Sequence, residues 1–126
     1  MHPVLNRKRI DRSTFLTVIW LGFISLSCNG KVDFNSVIRP ILSNKCYKCH
    51  GPDTKNQKSD FRLDSLGEAT KEHNGFVGLT PGNLEDSEIH WRIRSEDPIE
   101  VMPPPESKMP LSEEERDLID QWIKEG

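Results

Sequence analysis

Cys46, Cys49 and His50 stand together in the string Cys46-Tyr47-Lys48-Cys49-His50. Two thiols three positions apart at the end of a helix can reach the two vinyl groups of one porphyrin and form thioethers. The histidine that follows then lies beneath the iron and binds it through one ring nitrogen, its other N–H held by a carbonyl. This C-x-x-C-H spacing is that of c-type haem attachment. Three other chemistries use similar strings. A thioredoxin-like redox pair follows a strand in a βαβ unit, whereas here an amphipathic helix leads in. A zinc site needs a fourth ligand, and His73 and His90 are on offer without a second cysteine pair. A Cys46–Cys49 disulfide closes too short a loop to stabilise much. One covalent haem c, with His50 as proximal ligand, is the reading that uses all three residues.

A sixth iron ligand is expected from the C-terminal half. Met102 lies in Val101-Met102-Pro103-Pro104-Pro105, where the prolines stiffen the loop and lower the entropy cost of holding a sulfur near the metal. A thioether suits haem iron and raises its potential, which favours electron transfer over oxygen chemistry. Met109 also precedes a proline, but it sits beside the final helix and is expected to pack there or lie exposed. His90 falls inside an expected helix and is by default a surface or core histidine. Met102 is the first choice, with Met109 and His90 as alternatives.

The elements that must position these residues can be read from periodicity and caps. Phe34, Val37, Ile38, Ile41 and Leu42 mark one buried helical face starting at Asp33, a suitable N-cap. Pro40 inside that stretch requires a kink or a second helix start. Residues 51–83 are rich in turn signals: Gly51-Pro52, Asn74-Gly75 and Thr80-Pro81-Gly82-Asn83. Phe61-Arg62-Leu63-Asp64 could form a short extended piece. A helix is expected from about Leu84 to Arg94, capped by Asn83, and the proline cluster from Pro98 to Pro110 follows as a stiff loop. Ser112 and Glu115 form a capping box for a last helix with the apolar stripe Leu118, Ile119 and Trp122.

Ahead of all this, Arg7-Lys8-Arg9 and Arg12 precede the twelve-residue apolar run Phe15–Leu26. That run is too short for a hydrocarbon core of about 30 Å but fits a secretory signal over residues 1–27. Ser25-Leu26-Ser27-Cys28 resembles a bacterial lipoprotein cleavage box, with Ser25 where leucine is usual. Acylation of Cys28 supplies the two chains a stable anchor needs, and the alternative is simple cleavage leaving a free thiol. Residues 28–32 then form a linker and residues 33–126 one domain. The expected address is the periplasm or cell envelope, anchored at a membrane.

Residues 28–126 hold 13 Lys and Arg against 19 Asp and Glu, a formal −6. No basic stripe remains to neutralise phosphates, so nucleic acid is not an expected partner. So short a body, with nine prolines and eight glycines in the whole chain, is expected to build its centre around something besides side chains.

Taken in order, Ile38-Arg39-Pro40-Ile41-Leu42, Cys46-Tyr47-Lys48-Cys49-His50-Gly51-Pro52, Phe61-Arg62-Leu63-Asp64-Ser65, Pro81-Gly82-Asn83, Met102-Pro103-Pro104 and Leu111-Ser112-Glu113-Glu114-Glu115 resemble the planctomycete-type cytochrome c domain, a compact relative of class I cytochromes c. The resemblance spans about residues 32–126. It implies an all-α, cytochrome c-like small haem domain with long loops, whose first and last helices cross beside the haem. It further implies thioethers at Cys46 and Cys49 and axial ligation by His50 and Met102.

Two functions follow. One is an exported monohaem electron carrier that is not itself an enzyme and serves an unidentified redox protein. The other is a haem-bearing accessory or sensing module of a larger exported enzyme system. Arg62, Trp91 and Arg94 are candidate partners for the haem propionates, with ordinary surface and core roles as the alternative. The acidic run from Glu113 to Asp117 could dock a basic partner or simply start a helix. Tyr47 and Lys48 are expected near the haem edge.

Overall fold

Asp33 caps the first helical turn as expected, its carboxylate accepting the Ser36 N–H at 2.7 Å and the Ser36 hydroxyl at 2.7 Å. The computed structural model describes residues 30–126; residues 1–27, expected as an export signal, and Cys28 lie outside the described residues. Pro40 has no N–H to give to the carbonyl four residues back. The chain meets this with a wide π-helical turn, Phe34–Ile38, before α1 (Arg39–Lys45) begins with Pro40 in its first turn. The second of the two sequence alternatives, a new helix start, is therefore the one realised.

Short helices follow: α2 (Tyr47–His50), which begins directly after Cys46, and α3 (Leu66–Ala69). Next comes a minimal hairpin, β1 (Glu72–His73) paired antiparallel with β2 (Phe76–Val77) in the register Glu72↔Val77 and His73↔Phe76. Its turn is Asn74-Gly75 with φ of 54° and 88°, the two-residue loop whose left-handed pair suits hairpin twist. The turn was legible in the sequence, whereas the strands were not. Phe61–Asp64, expected as an extended piece, forms no strand. The fold is thus helix-rich with few strands, one step short of all-α.

The expected helix over 84–94 starts four residues late, as α4 (Glu88–Arg94). Asn83 caps a turn instead: its amide donates to Asp86 Oδ2 at 2.6 Å and its Oδ1 accepts the Asp86 N–H at 3.3 Å. Local side-chain bonding of this kind competes with helix. Ser87, fully buried, tightens the same turn, its Oγ accepting from Thr80 N and donating to Asn83 O.

A 3₁₀ turn (Pro105–Ser107) punctuates the proline segment, and α5 (Glu113–Lys124) closes the chain with the expected capping box, Ser112 and Glu115 each satisfying the other's backbone N–H. The core lies where the first and last helical segments meet. Ile38, Leu42, Ile119 and Ile123 are buried to 2% exposure or less, and the Phe34 ring packs on Trp122 at 5.4 Å. Val32 N donates to Glu125 Oε2 at 2.6 Å across the same junction. Among the described residues, no helix is long and apolar enough to cross a membrane.

Candidate functional site

The α1–α2 junction turns at Cys46, whose N–H closes on Leu42 O at 2.8 Å while its own carbonyl accepts from Cys49 N at 3.1 Å and His50 N at 2.9 Å. One tight turn therefore holds both thiols and the imidazole. Gly51 ends it in extended backbone, and a Cβ there would lie 2.3 Å from Tyr47 O, so the chain passes too close to α2 for any side chain. The returning loop then satisfies carbonyls that the helix end leaves open: Lys58 N donates to Cys49 O at 3.1 Å and Leu63 N to His50 O at 2.8 Å. Between those two anchors, the Phe61 carbonyl stands 3.0 Å from His50 Nδ1. That bond makes Nδ1 the protonated nitrogen and leaves Nε2 with the free lone pair, the tautomer a metal-binding histidine needs.

Cys46, Cys49, His50, Lys58, Phe61 and Leu63 line a cleft of about 790 Å³ together with His73 from β1, Met102, Pro103, Pro104 and Met109 from the proline segment, Ile89, Arg92 and Ile93 from α4, and Ile119 from α5. That volume is in the range that holds a cofactor, about 300–1,000 Å³. Met102 is half-buried and its N–H is pinned to Arg92 O at 2.9 Å, so the end of α4 sets where the methionine loop stands. Met109, expected beside the last helix or exposed, is half-buried in the same cleft. His90 is not there. Its Nδ1 is 2.8 Å from Asp120 Oδ1, on the side of α4 that faces α5.

Cys46 and Cys49 are free thiols. Burial first, and the Glu115 carboxylate second, push the Cys46 thiol up to about 12. Among the described residues, no three His, Cys, Asp or Glu side chains gather into a cage for a metal ion. What the cleft offers is two thiols, the His50 imidazole with a free nitrogen, a second imidazole from His73, two thioethers, largely apolar walls, and a few charged side chains. That donor set fits a flat, largely apolar, iron-bearing macrocycle with acidic substituents.

Residues 46–106 match the family model described as planctomycete cytochrome C. The chain carries a planctomycete-type cytochrome c domain. A domain of this kind implies a covalently bound haem c and a role in electron transfer, and the match begins at Cys46 and includes Met102. No curated protein and no solved structure matches the chain.

The candidate propionate partners of the cytochrome domain are engaged elsewhere. Arg62 forks onto Asp64 at 2.9 and 2.5 Å, Arg94 onto Asp120 and Asp117, and the Trp91 indole donates to Glu85 O at 3.0 Å. None of the three lines the cleft; the cations that do are Lys45, Lys48, Lys58 and Arg92. Arg92 could have been found, because Ile89 and Ile93 are buried and position 92 shares their helical face. Lys58 had no signal, since its place depends on the loop bond to Cys49. Of the expected pair at the haem edge, Lys48 is exposed on the cleft rim, while Tyr47 packs against the core. The acidic run is largely committed locally. Glu113 and Asp117 pair with Arg94, and Glu115 completes the cap of α5.

Proposed function

We propose that this protein is an exported monohaem c-type electron carrier with a class I cytochrome c-like fold. Cys46 and Cys49 would hold the haem covalently through thioethers to its vinyl groups. His50 would ligate the iron through Nε2, its ring held by the Phe61 carbonyl. Met102 would offer a second, thioether ligand from a loop stiffened by prolines and tied to α4. Haem so bound supplies one-electron chemistry, while the protein supplies ligation, burial and an approach surface. The observation that carries this reading is the convergence of Cys46, Cys49, His50 and Met102 on one apolar cleft.

The test is export from a host that has haem c maturation machinery. The wild-type chain is expected to keep its haem through denaturing electrophoresis. The Cys46→Ser/Cys49→Ser double variant is expected to lose it completely, and a wild-type band without haem overturns the reading.

The expected export segment and Cys28 support an address in the periplasm or cell envelope, with a lipid-anchored first residue. The redox partner is then a protein reachable from that membrane face. Cys28→Ala is expected to move the protein from the membrane fraction to the soluble fraction. A membrane-bound Cys28→Ala protein counts against the anchor.

A further inference from the structure

We propose that Gly78, remote in sequence from the C-x-x-C-H turn, is a positioning residue for the His50 imidazole, acting through Phe61. The inference rests on the haem-binding reading of the cleft and adds a residue to it.

A Cβ built on Gly78 would lie 1.8 Å from Phe61 Cε2, 2.2 Å from Cζ and 2.7 Å from Cδ2. The aromatic ring thus lies flush against the Gly78 backbone, in space that any other residue would fill. Backbone freedom is not the reason for glycine here, since Gly78 is not among the positive-φ glycines. The requirement is room.

The Gly78 backbone cannot step aside. Its carbonyl accepts the Ile89 N–H at 3.1 Å, at the start of α4, and the next N–H, that of Leu79, donates to Ala69 O at 2.9 Å. A side chain at position 78 therefore moves the ring, which must withdraw by well over an ångström to reach ordinary contact. The ring is bounded by two imidazoles, His50 with centroids at 5.6 Å and His73 at 6.1 Å, both edge-on. Phe61 also carries the carbonyl that accepts the His50 Nδ1–H at 3.0 Å. Ring and carbonyl belong to one residue, and with the ring confined between Gly78, His50 and His73 its withdrawal is expected to shift the Phe61 backbone and with it the acceptor.

A histidine that donates Nδ1–H to a carbonyl is a more basic ligand at Nε2, and a more basic ligand favours the oxidised metal. Loosening the bond lowers that basicity. Gly78→Ala is therefore expected to raise the reduction potential of the haem protein and to speed hydrogen exchange at His50 Nδ1.

The experiment measures both in the exported holoprotein for wild type, Gly78→Ala, Phe61→Leu, the double variant, and Gly67→Ala. Gly67 lies in α3 with only Ser65 Oγ at 3.9 Å from its Cβ position, so Gly67→Ala reports the cost of an alanine with room to spare. It is expected to leave both readouts at wild-type values. Phe61→Leu removes the ring atoms the Cβ would meet, so adding Gly78→Ala to it is expected to change little more. A wild-type potential and exchange rate in Gly78→Ala overturn the proposal, as does full additivity of the two substitutions. If Gly78→Ala fails to accumulate, Phe61→Leu decides alone: an upward shift supports the seat, and an unchanged potential overturns it. A wild-type chain without covalent haem overturns the functional reading and this inference with it. A haem protein indifferent to position 78 overturns the inference only.

Discussion

Met102→Ala is expected to turn a ferrous protein that refuses carbon monoxide into one that binds it readily. The physical ground is occupancy of the sixth coordination position. Met102 is half-buried in the cleft, its N–H bonded to Arg92 O, and the prolines after it restrict the loop. A thioether held that way competes with an external ligand at little entropic cost, and its removal opens the position. The reduction potential is expected to fall as well, because the soft sulfur that favours the reduced iron is gone. Met109→Ala, made in parallel, is expected to leave the protein closed to carbon monoxide. The reverse pattern assigns the ligand to Met109, which lines the same cleft. Free carbon monoxide binding by the wild type removes Met102 from its role and promotes the sensing module over the electron carrier. The measurement is the absorption spectrum of the reduced protein with and without the gas.

The second large effect concerns stability, at the contact of α4 with α5. Asp120 is 7% exposed, and its carboxylate takes Arg94 Nε at 3.1 Å and Nη2 at 2.8 Å on one oxygen and His90 Nδ1 at 2.8 Å on the other. The guanidinium of Arg94 is held above its ordinary value by hydrogen bonding to Asp117 first, opposed by burial, with Asp120 adding to the rise. Asp120→Ala leaves Arg94 Nε and His90 Nδ1 facing each other's surroundings without their acceptor. Breaking a charged, largely buried arrangement from one side costs about 3 kcal/mol, less than a fully dry pair because Arg94 keeps some solvent and the Asp117 contact. Asp117→Ala, whose side chain is 72% exposed, is expected to cost under about 1 kcal/mol. Denaturant unfolding of the two variants checks the contrast. Equal midpoints for both refute the claim that burial decides the value of this network.

His90 shows how far residue type misleads without tertiary context. As one of few histidines in the chain it competed as an iron ligand, yet helical geometry sends it to α5 while Ile89 and Arg92, which flank the His90-Trp91 pair, line the cleft. The same rotation takes Arg94 away from the cleft and into the Asp120 network. Trp91, between the two faces, is half-exposed. Knowing where one residue of α4 points fixes all of them, and that one direction is a long-range fact.

Local chemistry was legible in the sequence. The C-x-x-C-H turn needs only one turn of helix, the Asp33 cap and the Ser112–Glu115 box each span four residues, and Asn74-Gly75 needs only its own left-handed φ angles. Each is governed by atoms within a few residues, so spacing alone determines it. The start of α4 failed as a reading because Ser87 is buried by the fold and bonds to Thr80 and Asn83 instead of simply extending a helix. The wide turn before Pro40 follows from a missing N–H, but the choice between a kink and a new helix start rests on packing. What the tertiary structure decided was which distant residues share the cleft: Phe61 against Gly78, Lys58 beneath Cys49, Arg92 carrying Met102, and both methionines on one cavity. Those relations depend on loop closure over tens of residues, where no periodicity in the chain reports which side chain arrives beside which.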